Sequence, residues 1–176
     1  VWLPAAGPGS DAGGALASGR LYLGRAHTRS GSTSLSVLQG IILGGLLLAV
    51  FLAGAFAVAR VPLLRGPVDA LLDHARYGSL PVVALITAIN GAAEELFFRG
   101  AAYAALPRRS NVAGSTLLYA ASTLFSGVPL LTLAAASLGL LTALQRRVTG
   151  GVLGPIVTHL TWSLGMLVGL PWVFSR

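Results

Sequence analysis

The sequence predicts an all-α protein, a polytopic transmembrane helix bundle of about five spans. Three observations predict it. Hydrophobic residues make up 55% of the chain and charged residues only 10%, against roughly a quarter charged in soluble domains. Long uncharged runs alternate with short stretches that carry the charges. Proline and glycine fall at the borders of those runs, where helices stop or turn. With 12 basic and 5 acidic residues, the chain has too little polar material to cover a core, and a bilayer supplies the apolar solvent instead. Intrinsic disorder is excluded, since it needs low hydrophobicity and high charge.

Residues 1–34 are rich in Gly, Ser, Ala and Pro and carry Arg20, Arg25 and Arg29. They read as a flexible polar leader, with no apolar core long enough for a signal peptide. Residues 35–176 form the transmembrane helical domain. Its first span is Val37 to Ala59, enough for the roughly 20 apolar residues a crossing needs. Gly40 and Gly44 give it a small face that another helix can approach closely. A polar loop follows with Arg60, Arg65, Asp69, Asp73, His74 and Arg76, broken by Pro62 and Pro67.

Pro81 opens the second span at a favoured first-turn position. The run meets Glu94, Glu95 and Arg99 without a turn signal and continues to Pro107, so these charges sit inside a helix. Ser110 to Gln145 is uncharged, and Gly127-Val128-Pro129 splits it into two short spans. Thr149-Gly150-Gly151 makes a turn, and Val152 to Val173 is the last span, with His159 inside it and Gly165 and Gly169 on one face.

The net charge of +7 comes entirely from arginine. The arginines punctuate apolar runs and do not cluster on one helix, so they read as loop charges that set orientation and not as a nucleic-acid footprint. Arg20, Arg25, Arg29, Arg108, Arg109, Arg146 and Arg147 would lie on one side, and Arg60, Arg65, Arg76 and Arg176 on the other. The richer side places the N-terminus in the cytoplasm of a multi-pass cell-membrane protein. Heavy use of Arg, Ala and Gly hints at a GC-rich bacterial source. The absence of cysteine excludes disulfides, thiolate nucleophiles and Cys-ligated zinc.

Ionisable groups within a span are costly and point to function. On a helix Glu95 and Arg99 share a face and can pair, while Glu94 points about 100° away and shares its face with Asn90. With one cation nearby, Glu94 is the carboxylate left for general-base work. The alternative is a structural ion-pair knot. His159 and Ser163 share a face of the last span. A mid-span imidazole can be a metal ligand, an acid/base or an oxyanion donor, or a buried His bonded to backbone, with Ser163 bonding back to its own helix. Tyr119 and Thr123 share a face of the third span and, taken alone, read as hydroxyls tolerated in a helix.

These motifs resemble those of the CAAX prenyl endopeptidase and bacteriocin-processing (CPBP) group of intramembrane proteases. The resemblance covers about residues 82–168. Glu94-Glu95-x-x-x-Arg99-Gly100, with Phe98 before the Arg, is similar to that family's paired-glutamate motif. Arg147-Val-Thr149-Gly150 leading to His159 is similar to its turn-then-helix approach to the last conserved His. Two positions depart from the pattern. The family's middle motif is Phe, three residues, then His, where this chain has Tyr119 and Thr123; the family's Asn four residues after the last His is here Ser163.

The resemblance implies an intramembrane endopeptidase acting on a membrane-embedded or membrane-associated peptide or protein, in contact with membrane lipid. Glu94, Glu95 and His159 would be catalytic, supported by Arg99, Ser163, Thr123 and Asn90. One mechanism holds zinc through Glu94 and His159, although a catalytic zinc takes three protein ligands and a water. The other lets Glu94 activate water, with His159 and Ser163 stabilising the oxyanion. The missing middle His implies reduced activity. The alternative is a non-catalytic scaffold or bacteriocin-immunity-type protein that retains the protease fold; a third, weaker reading is a proton or cation relay. The oligomeric state stays open, because the glycine faces suit packing within the bundle as well as between copies.

Overall fold

The computed structural model describes residues 33–61, 66 and 79–174, and all elements in these are helical. Residues 1–32 of the expected leader, His74, Arg76 and most of the polar loop lie outside the described residues. Five helices follow in order: α1 (Thr33–Val58), α2 (Leu80–Ala105), α3 (Asn111–Leu124), α4 (Pro129–Thr149) and α5 (Leu153–Phe174). All but α3 are long and apolar enough to cross a membrane. At 1.5 Å per residue, the 14 residues of α3 reach about 21 Å, short of the roughly 30 Å hydrocarbon core.

Each border has a local cause. Pro81 and Pro129 occupy first-turn positions of α2 and α4, where the missing N–H costs nothing. Pro107 follows the last residues of α2, and its carbonyl accepts from the Ser110 N–H in the turn to α3. α4 ends at Gly150, which adopts φ 75° and donates its N–H to the Arg146 carbonyl. That left-handed cap strongly favours glycine.

α1 and α5 run side by side in parallel. Gly40 lies against Val157, Gly44 against Thr158 and Thr161, Leu48 against Gly165 and Leu52 against Gly169. Each glycine pair seen in the sequence therefore receives larger side chains of the other helix within the bundle. The contact is close enough that a Cβ on Gly44 would stand 2.6 Å from the Thr158 carbonyl oxygen. Gly44→Ala should force α1 away from α5 and cost about 1–3 kcal/mol, the usual price of overpacking, measured as a lower unfolding midpoint in detergent. An unchanged midpoint would refute the close approach.

The start of α1, the end of α2, the starts of α3 and α5 and the end of α4 gather at one end of the bundle, as these contacts and the connecting turns require. Leu46, Val50, Leu85, Ile89, Leu117 and Leu133 are among the large apolar side chains that face outward. An exterior this apolar fits a lipid-facing bundle better than a water-exposed one. The interior is small: Tyr119, Ala135 and Leu138 are buried together, with Leu47, Phe98 and Trp162 against them. This core borders the polar site.

Candidate active site

α2 changes character at the site. It is α-helical from Leu80 to Glu95 and then widens into a π-helical stretch over Leu96–Ala102. Such single π turns often mark functional positions. The Tyr103 N–H bonds to the Phe98 and Gly100 carbonyls and passes over the Arg99 carbonyl. That carbonyl accepts instead from Nε of Arg146 on α4, at 3.0 Å. The widened turn is thus tied across to a neighbouring helix.

Glu95 and Arg99 are both fully buried, with Arg99 Nη1 3.1 Å from Glu95 Oε1. The Arg99 guanidinium also lies over the Tyr119 ring, 4.7 Å from its centroid, a distance at which a cation is attracted to the ring face. α4 makes room with Gly139, where a Cβ would sit 3.1 Å from Arg99 Nη2 and 3.2 Å from Tyr119 Cδ1. The same Glu95 Oε1 lies 2.9 Å from His159 Nδ1 on α5. A carboxylate on one ring nitrogen fixes the ring and directs the other nitrogen outward. Gly91 lets α2 come close enough, since a Cβ there would stand 3.3 Å from His159 Cδ2.

Glu94 differs from its neighbour. Its side chain is 40% exposed, and Oε2 stands 3.9 Å from His159 Nε2. That is too long for a direct hydrogen bond and the right gap for one water between them. The Tyr119 hydroxyl donates to the same Oε2 at 2.7 Å. The structure therefore brings Glu94, Glu95, Arg99 and His159 together and adds Tyr119, whose hydroxyl taken from the sequence alone reads as one merely tolerated in a helix. The signal available was a Tyr where the resembling motif has Phe.

The other singled-out residues make no hydrogen bond to this cluster. Asn90 is exposed on α2. Thr123 donates to the Ala120 carbonyl and lies 3.3 Å from the Thr132 hydroxyl on α4. Ser163 turns back to the Leu160 carbonyl of its own helix at 3.5 Å.

This arrangement of paired glutamates, arginine and a histidine from a later helix can be set against known families. The Type II CAAX prenyl endopeptidase Rce1-like family matches residues 76–165, a stretch that contains all five clustered residues. The chain belongs to this family. No curated protein and no solved structure matches the chain. Membership of the Rce1-like family agrees with the motifs around Glu94 and His159.

The donor set does not suit a tight zinc site of the kind considered for this family. Glu94 and His159 Nε2 supply two ligands, while Glu95 Oε1 already serves Arg99 and His159 Nδ1. A catalytic zinc takes three protein ligands plus water, and among the described residues no group of three such side chains gathers to hold a metal.

Proposed function

We propose that the chain is an intramembrane endopeptidase of the CAAX-protease type that hydrolyses a peptide bond with water activated by Glu94. The observation that carries this reading is the 3.9 Å gap between Glu94 Oε2 and His159 Nε2. A water there could donate one proton to each acceptor. Glu94 takes a proton as the water oxygen bonds to the peptide carbonyl carbon. That proton then passes to the departing amide nitrogen as the C–N bond breaks. Glu95 and Arg99 act through His159, holding its ring so that Nε2 faces the water. Tyr119 fixes the Glu94 carboxylate.

An apolar cavity of about 480 Å³ supports a hydrophobic substrate. Phe51, Ala134, Trp162, Met166, Leu170 and Phe174 are among its lining residues. Trp162 also neighbours His159, with ring centroids 6.5 Å apart, so apolar substrate seated in the cavity would approach the polar cluster. The placement of Thr123 and Ser163, each bonded to its own helix, favours the second reading, a non-catalytic scaffold with the same fold.

Mass spectrometry of protein termini in membranes carrying the wild-type chain or its Glu94→Gln variant separates the two. New termini that require Glu94 support the protease. Identical termini in both membranes would sink it. Tyr119→Phe should retain activity but lower it by roughly 10- to 100-fold, since a hydrogen bond to a charged group is worth roughly 1.5–3 kcal/mol. Cleavage rates in the same membranes check this, and an unchanged rate would remove Tyr119 from the site.

A further inference from the structure

The end of the bundle where α2, α3 and α4 meet carries four arginines. Arg108 and Arg109 lie in the turn before α3, and Arg146 and Arg147 close α4. Tyr103, at the end of α2, lies within electrostatic reach of Arg108, Arg146 and Arg147, which places these groups in one corner. No carboxylate pairs with any of the four among the described residues. The acids described are Glu94 and Glu95, and they are committed to the catalytic cluster.

Three of these arginines are exposed, as loop charges usually are. Arg146 is different. It is only 8% exposed, its Nε is spent on the Arg99 carbonyl, and its guanidinium lies 5.7 Å from the Tyr103 ring centroid. Its two terminal nitrogens bond to nothing among the described residues yet are not sealed from the surface. A buried cation without an anionic partner is costly. A guanidinium with a free pair of parallel N–H donors is shaped to take an oxyanion in bidentate fashion.

We propose that this corner is a phosphate-binding site at the membrane surface, with Arg146 as its buried anchor and Arg108, Arg109 and Arg147 as its exposed rim. The corner lies where two spanning helices end, so an anionic phospholipid headgroup is delivered to it by the bilayer itself. Basic pockets between spanning helices bind such headgroups. The proposal does not depend on the chain being an active protease.

The test is native mass spectrometry of the full chain in detergent, titrated with phosphatidylglycerol or phosphatidylcholine, alongside thermal unfolding with inorganic phosphate. Wild type should retain phosphatidylglycerol selectively. Arg146→Gln should weaken that retention by about tenfold or more. Arg146 also braces the π turn, so a second variant leaves the buried residue intact. Arg108→Gln, Arg109→Gln and Arg147→Gln combined should weaken retention on the order of 10²-fold, at about 1 kcal/mol per rim arginine. Arg60→Gln, at the far end of α1, should change nothing.

Selective retention of phosphatidylglycerol that falls in Arg146→Gln and in the rim variant assigns the headgroup, and retention unmoved by both overturns the site. An Arg146-dependent stabilisation by inorganic phosphate, without lipid selectivity, assigns free phosphate to the same site. Equal retention of both lipids with no phosphate effect overturns the proposal. So does a loss with Arg60→Gln as large as that with the rim variants, since diffuse charge and not a site would then explain the binding.

Discussion

Glu94→Gln should reduce peptide hydrolysis by about 10²–10⁴-fold, the usual contribution of a positioned general base, while leaving the bundle folded. Both halves follow from the position of Glu94. Its carboxylate is 40% exposed, so a neutral amide there leaves no buried charge unpaired. The amide oxygen can still accept from the Tyr119 hydroxyl now 2.7 Å away, so the local geometry survives. What disappears is the ability to take a proton from water. Cleavage rate and unfolding midpoint measured on the same preparation separate the two effects. A large rate loss at an unchanged midpoint supports the base. Full activity in the variant would show that Glu94 is not the base, and a collapsed midpoint would show that it is a structural residue after all.

The parts of this site that were legible in the sequence are the local ones. Glu95 and Arg99 lie four residues apart on one helix, and helical spacing alone pairs them. The uncharged runs and their Pro and Gly borders locate the helices because the cost of a buried charge is a property of single residues. Tyr119 was not legible in the same way. Its partner Glu94 is 25 residues away, and nothing in the α3 stretch says which face meets α2. The π turn at Leu96–Ala102 was hidden because apolar spacing is read with a fixed period of 3.6, and one widened turn barely changes it. The Arg146 bond to the Arg99 carbonyl depends on that turn, so it was hidden too. The glycine pairs of α1 and α5 were each visible, but that each packs against side chains of the other helix is a tertiary fact.

Glu95→Gln should destabilise the fold by about 3–5 kcal/mol, the cost of leaving one member of a buried ion pair without its partner. Arg99 is fully buried, and Glu95 is the carboxylate at contact distance, 3.1 Å from Nη1. The Tyr119 ring at 4.7 Å offsets only part of this, since a desolvated cation–ring contact is worth about 2 kcal/mol. The second variant in the argument is Glu95→Gln combined with Arg99→Met. It removes both charges at similar volume, so no buried charge is left without its partner, the situation that makes the single variant costly. Unfolding midpoints in detergent should therefore fall for Glu95→Gln and recover in the double variant, a coupling that a double-mutant cycle reads directly. Activity should not recover with stability, because Glu95 also holds His159 Nδ1 at 2.9 Å. A double variant both stable and active would show that the pair is only a structural lock. A single variant with no loss of stability would show that Arg99 does not rely on Glu95.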